Sequence, residues 1–233
     1  MSALLLRFAG PMQSWGTQSR FDERDAGTEP SKSGVVGLLC ASLGRVRDAP
    51  VDDLAALRMG VRVDFEGVVQ RDFQTSGGVH RVHETYGVAR SSGGVSGEAV
   101  VSRRYFIADA DFLVALEGSA DLLEELGGAL LEPRWPLCLG RKAFVPGVPV
   151  WMPGGLRPDM DLRQALTAEP WPRSGLGLPR DRPTALRLVM EGIGAEIRID
   201  QPVGSAFRTR RFAPRAVGTS FLRLGEDVPI RED

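Results

Sequence analysis

Apolar residues first gather between Ser2 and Phe8, a short run closed by Gly10-Pro11, and this predicts a buried strand ending in a turn. A long polar loop, Gln13 to Pro30, separates it from Val35, Val36, Leu39 and Leu43 at helical spacing. Ser31-Lys32-Ser33 opens that helix and Gly44 stops it. Leu54 and Leu57 mark a helical turn, and Val61-Arg62-Val63-Asp64-Phe65 alternates as a half-exposed strand does. Gln74 to Ser102 is rich in Gly, Ser, Val and Thr with few large apolar residues, so it builds no core of its own and is either disordered or a projecting hairpin. Strand character returns from Arg103 to Leu116. Ser119 then caps a helix through Leu122, Leu123, Leu126 and Leu130, and Trp135 to Leu139 reads as a further strand. Strand, helix, strand, insertion, strand, helix, strand is the order of the split βαβ, or ferredoxin-like, arrangement. After about Pro146, Pro and Gly crowd in, a brief helical pattern spans Leu162 to Ala165, and Leu186 to Ile199 predicts a hairpin turning at Gly192 or Gly194. The expected class is therefore α+β, with a body over 1–147, an insertion at about 74–102, and a smaller β-rich region over 148–233.

At 233 residues with 42% hydrophobic and 25% charged positions, the chain has the balance of a globular protein with a sizeable core. No stretch has the roughly 18 uninterrupted apolar residues of a membrane span, and Met1-Ser2-Ala3-Leu4 lacks the basic start of a signal peptide. The expected location is cytoplasmic, without a membrane partner. Cys40 and Cys138 each lie in an apolar segment, which predicts buried thiols, and no zinc-ligand spacing occurs. The net charge of −1 excludes a uniformly basic nucleic-acid binder, but charge is segregated. Phe106 to Glu132 holds seven acids and no base, while Val203 to Arg223 holds Arg208, Arg210, Arg211, Arg215 and Arg223 and no acid.

The acid–base inventory is thin. His80 and His83 are the two histidines, both in the Gly-rich insertion, where nothing fixes the geometry a general base needs. No catalytic residue, metal site or cofactor motif is assigned. Recognition chemistry is better represented. Gln13, Ser14 and Trp15 follow the first strand and offer an amide, a hydroxyl and an aromatic face to unpaired bases, unless Trp15 folds into the core. Lys32 and Ser33 sit where a helix N-terminus presents free N–H groups, either a phosphate cradle or an ordinary cap. Arg141 and Lys142 make a second basic point after Gly140. Arg103 and Arg104 at the end of the insertion, with Arg211 and Arg215 near the C-terminus, complete the set of candidate RNA contacts.

The blocks "LLLRFAGPMQSWG", "PSKSGVVGLLCASLGR", "RDFQT", "YFIADADFLVAL" and "LCLGRKAF", in that order from Leu4 to about Pro149, with "RTRRFAPRAV" near the end, resemble the CasD-type subunits of type I-E CRISPR surveillance complexes (Cascade), within the repeat-associated mysterious protein superfamily. The resemblance implies a ferredoxin-like (RRM-like) body, with residues 74–102 as an inserted thumb hairpin. It implies a noncatalytic subunit that binds crRNA, caps its 5′ handle, contacts the backbone and large subunits, and meets target DNA only through the complex. Related type I-C subunits cleave precursor crRNA, so a metal-independent endoribonuclease is the alternative.

Overall fold

A computed structural model of the chain describes residues 1–18, 22–81, 84–86, 88–89, 93–96, 98–172, 174–175, 178–179 and 181–231. In chain order its main elements are β1 (Ser2–Ala9), α1 (Lys32–Leu43), β2 (Arg58–Phe65), β3 (Val68–Ser76), β4 (Val100–Ala108), β5 (Asp111–Gly118), α2 (Ala120–Leu131), β6 (Trp151–Arg157), α3 (Leu162–Ala168), β7 (Ala185–Pro202) and β8 (Phe212–Arg223). It is a mixed α+β fold dominated by sheet. Six strands form the main sheet in the order β6-β1-β5-β2-β7-β8, and every adjacent pair is antiparallel.

Alternation along the central strands supplies two cores. Leu4, Leu6 and Phe8 of β1, Val61 and Val63 of β2, and Phe112, Val114 and Leu116 of β5 pack with α1 and α2 on one face. Ala3, Leu5, Leu113 and Ala115 point the other way, against α3, Trp171 and Leu222. Ser31 caps α1, its hydroxyl accepting from the Gly34 N–H, and Gly44 ends the helix at φ 73°, a left-handed conformation that suits glycine. Burial pushes the Cys40 thiol of α1 up to about 11, while Cys138 is half-buried.

Four expectations change. Residues 61–65 are not half-exposed: both faces of β2 are covered, and its alternating polar pair, Arg62 and Asp64, is buried as an ion pair at 2.7 Å. The predicted 103–116 strand is two, β4 and β5, broken where Asp109 takes φ 56°. Trp135 to Leu139 is no strand. Pro133 and Pro136 remove N–H donors, and the backbone N–H groups of Arg134 and Trp135 instead donate to Ser42 and Ala41 carbonyls at the end of α1. The place beside β1 is filled by β6, from beyond the predicted boundary at 147. Finally, Gly192 and Gly194 do not reverse the chain. Their positive φ values, 82° and 123°, form a bulge in β7, so that Glu191 and Glu196 both face Val217 of one partner strand, β8.

The Gly-rich insertion grows from a longer ribbon than the composition marks. β3 and β4 pair without interruption from Val68↔Ala108 to Val100↔Ser76, and shorter strands, Gly78–Arg81 with Glu84–Tyr86 and Val88–Ala89 with Val95–Ser96, follow beyond. β4 also pairs with Met12–Gln13 and Glu23–Arg24, making a second sheet that stands on the main one. Among the described residues no helix is long and apolar enough to cross a membrane.

Candidate nucleic-acid interface

Three loops meet at the root of the second sheet. The Ser14 N–H donates to the Leu139 carbonyl at 3.1 Å, and the Gly27 N–H donates to the Trp15 carbonyl at 3.2 Å. The approach is so close that a Cβ on Gly140, at φ 91°, would lie 1.8 Å from the Ser14 carbonyl oxygen, and one on Gly16 would lie 2.5 Å from that of Asp25. Glycine is required at both contacts. The residues between are turned inward. Gln13 is fully buried; its Nε2 donates to the carbonyls of Phe8 and Ala110 at 2.9 and 2.8 Å, and its Oε1 accepts from the Trp15 indole at 3.1 Å. Trp15 is 1% exposed and stacks on Phe8 with centroids 5.4 Å apart, and the Ser14 hydroxyl donates to the Tyr105 carbonyl. This corrects the expectation that Gln13, Ser14 and Trp15 are presented at the sheet edge: the amide, hydroxyl and indole satisfy one another and the backbone.

That packing fixes the arginines in front of it. Arg141 reaches across the loops, its Nη2 donating to the Tyr105 carbonyl at 2.8 Å and to the Arg24 carbonyl at 3.4 Å, with its guanidinium 5.5 Å from the Phe144 ring centre. Its Nη1 is buried and has no hydrogen-bond partner among the described residues. Burial, and next the positive charge of Arg104, lower its pKa from the ordinary value; Arg24 acts the same way, while Asp72 and Asp25 oppose. Across the sheet Arg104 stands between Asp72 on β3 and Arg24 on the Glu23–Arg24 strand, and its Nε donates to the Ser102 hydroxyl. The acids are engaged locally: Asp25 accepts from the Thr17 and Gln18 N–H groups, and Asp72 from Gln74. Arg103 points to the opposite face with its side chain half exposed, 3.6 Å from Glu23. Lys142, next to Arg141, is exposed. Arg24 joins this cluster from a two-residue strand that no periodicity in the sequence marks.

The remaining candidates form a separate site. Lys32 is 2% exposed, its Nζ bound to both oxygens of Glu191 at 2.7 and 2.9 Å. Burial lowers its pKa, against the opposing pull of Glu191. The Lys32 N–H donates to Asp200, whose carboxylate is also gripped by Arg215 at 2.6 and 3.0 Å. A carboxylate of the protein's own therefore sits at the positive end of α1, where the sequence suggested a phosphate. Arg215 is buried as well, and its cross-strand neighbour Arg198 pairs with Glu29, which also pairs with Arg187. This network ties α1 to the β7–β8 hairpin. Ser33 is half-buried, its hydroxyl 3.4 Å from that of Ser31. Arg211 is exposed at the start of β8, after Arg210 at φ 56°. His80 falls in the strand Gly78–Arg81, and His83 lies outside the described residues.

Comparison with known proteins extends the picture over most of the chain. The family of CRISPR-associated protein (Cas_Cas5) matches residues 3–218. The CRISPR system Cascade subunit CasD of Escherichia coli (strain K12) is 36% identical over 149 residues, a span of 61% of this chain and 66% of that relative, just under two thirds of its length. The crystal structure of a Cas protein superposes with a TM-score of 0.76 at 44% identity, covering 98% of both chains. A chain of a CRISPR RNA-guided surveillance complex gives a TM-score of 0.75 at 33% identity, covering 95% of this chain and 90% of that one. Because the family match runs from β1 into β8, through both long helices and the ribbon that carries the arginines, the chain belongs to the Cas_Cas5 family of CRISPR-associated proteins.

Proposed function

We propose that this chain is a noncatalytic crRNA-binding subunit of a CRISPR surveillance complex, holding the 5′ handle of the crRNA and contacting the backbone and large subunits, with target DNA reached only through the assembly. Family membership supports the setting, as do its likeness to a Cascade subunit and to a chain of an RNA-guided complex. The sheet order β6-β1-β5-β2, with α1 and α2 on one face, supports a ferredoxin-like body that runs from β1 through β6, past the boundary expected at 147, and is braced by β7 and β8; the β3–β4 ribbon is its thumb.

The observation that carries the site is Arg141. Its buried Nη1 lacks an acceptor among the described residues, a costly state for a charged group, while Arg104 and Arg24 stand close enough to shift its titration. A phosphate oxygen supplies the acceptor and answers the local positive charge. Arg24, Arg103, Arg104, Arg141, Lys142 and Arg211 are the cations assigned to phosphates. Gln13, Ser14 and Trp15 hold the loops from behind, and Lys32, Ser33 and Arg215 hold α1 against the C-terminal hairpin.

The test uses purified protein and RNA of the repeat from its own genomic array. Binding without cleavage is expected. Arg141→Ala and Arg104→Ala should each lower the slope of log affinity against log salt by roughly 0.7 for single-stranded RNA; slopes equal to that of the unmodified protein would remove the phosphate site. A second expectation concerns the histidines: His80→Ala with His83→Ala leaves crRNA maturation unchanged. A discrete cleavage product that disappears in this double variant would make the chain an endoribonuclease instead.

A further inference from the structure

The β3–β4 ribbon has a second face. Residues directly opposite one another share a face of an antiparallel pair, and the register sets Val69 against Ile107, Arg71 against Tyr105, Phe73 against Arg103 and Thr75 against Val101. Arg104 and Phe106 point the other way, toward Arg141 and the Phe144 ring. Phe73 is a large apolar side chain that remains 56% exposed. Two guanidinium groups flank it. Arg71 lies over the ring at 4.9 Å from its centre, and Arg103 is its cross-strand neighbour. None of these eight ribbon positions is acidic, and Glu23 beside them makes an exposed 3.6 Å contact with Arg103, a pair of little energetic consequence.

We infer that Phe73 is a stacking platform for an unpaired base of single-stranded RNA, with Arg71 and Arg103 neutralising the flanking phosphates. This rests on the RNA-binding reading and adds to it a base contact on the ribbon face opposite Arg104. Three features choose RNA over an apolar protein surface. The ring is bracketed by cations, which an apolar partner would have to desolvate without compensation. Guanidinium and phenyl groups are both among the side-chain planes on which splayed bases stack. The platform is also continuous with the phosphate site, because Arg103 and Arg104 are successive residues of β4 that serve its two faces.

Aromaticity at position 73 is the discriminating variable. With the full chain and the same repeat-derived RNA, Phe73→Leu should weaken binding roughly 5- to 150-fold, the range for loss of one stacked base, without changing the salt slope. Phe73→Tyr should restore affinity. Phe73→Trp should bind and show indole fluorescence quenched by RNA, read as the difference from unmodified protein, whose own tryptophans include the exposed Trp135. If Phe73→Leu binds RNA as tightly as the parent, or the indole at 73 is not quenched, the platform is wrong while parental binding keeps the wider reading. If Phe73→Leu leaves RNA affinity intact but weakens capture of the backbone subunit, the face is a protein dock and the inference fails. Parental protein that binds no repeat RNA overturns both.

Discussion

Trp15→Ala is expected to lower the stability of the chain by about 3–5 kcal/mol, the range for emptying a buried tryptophan site, and to lower Tm by on the order of 10 °C for a domain of this size. The indole fills the space between Phe8 and the first turn of α1, where a Cβ on Gly34 would already lie 2.8 Å from its ring. Neighbours held by a hydrogen-bonded Gln13 and by the α1 cap cannot collapse into the gap. Trp15→Phe separates packing from polarity: it keeps an aromatic on Phe8 but strands the Gln13 Oε1, for a smaller loss of about 1–3 kcal/mol. Chemical unfolding of the three proteins checks the order. RNA affinity, measured where each variant is fully folded, should stay within a few-fold of the parent because the indole is a support and not a contact. A large affinity loss in folded Trp15→Phe, with little loss of stability, would show instead that the indole moves out to meet RNA.

The same residue shows how far the sequence carries. An aromatic after Gln-Ser in a turn is compatible with core or with ligand, and what decides between them is the depth of the loop. That depth depends on Gly16 meeting Asp25 and Gly34 meeting Trp15 across the loop, and on Gly140 meeting Ser14 from far away in the chain. The α1 caps were legible because they are local: Ser31 and Gly44 act within their own helix. Lys32 looked available for the opposite reason, since its partners Glu191 and Asp200 lie more than 150 positions later. The fourth strand was misplaced because short apolar runs at 135–139 and 151–157 carry similar patterns, and Pro133 and Pro136, before and within the first, weigh against it only once the carbonyls at the end of α1 are there to accept the N–H groups of Arg134 and Trp135. Arg104 and Arg141 were legible as charges. Their convergence with Arg24 was not, as it depends on a parallel pairing of two residues.

The strongest case of a non-local reading is β2, where alternation suggested solvent on the Arg62 and Asp64 face. Both are at most 2% exposed. Arg62 holds Asp64 with Nε and Nη2 at 2.7 and 3.1 Å, while its Nη1 donates to the carbonyls of Leu166 and Glu169 at 2.5 and 2.6 Å, which closes the end of α3. A guanidinium this deep tolerates burial only because it is paired and hydrogen-bonded. Asp64→Ala removes both acceptors of Nε and Nη2 and leaves an uncompensated charge, so a loss of about 3–5 kcal/mol is expected. Combining it with Arg62→Met removes the stranded charge. It leaves two carbonyls short of a donor, so the double variant should be more stable than Asp64→Ala alone yet below the parent. Denaturant titration of the four members of this cycle measures the coupling. If Asp64→Ala costs less than about 1 kcal/mol, the pair behaves as an exposed one, and the α3 layer opens to water in solution.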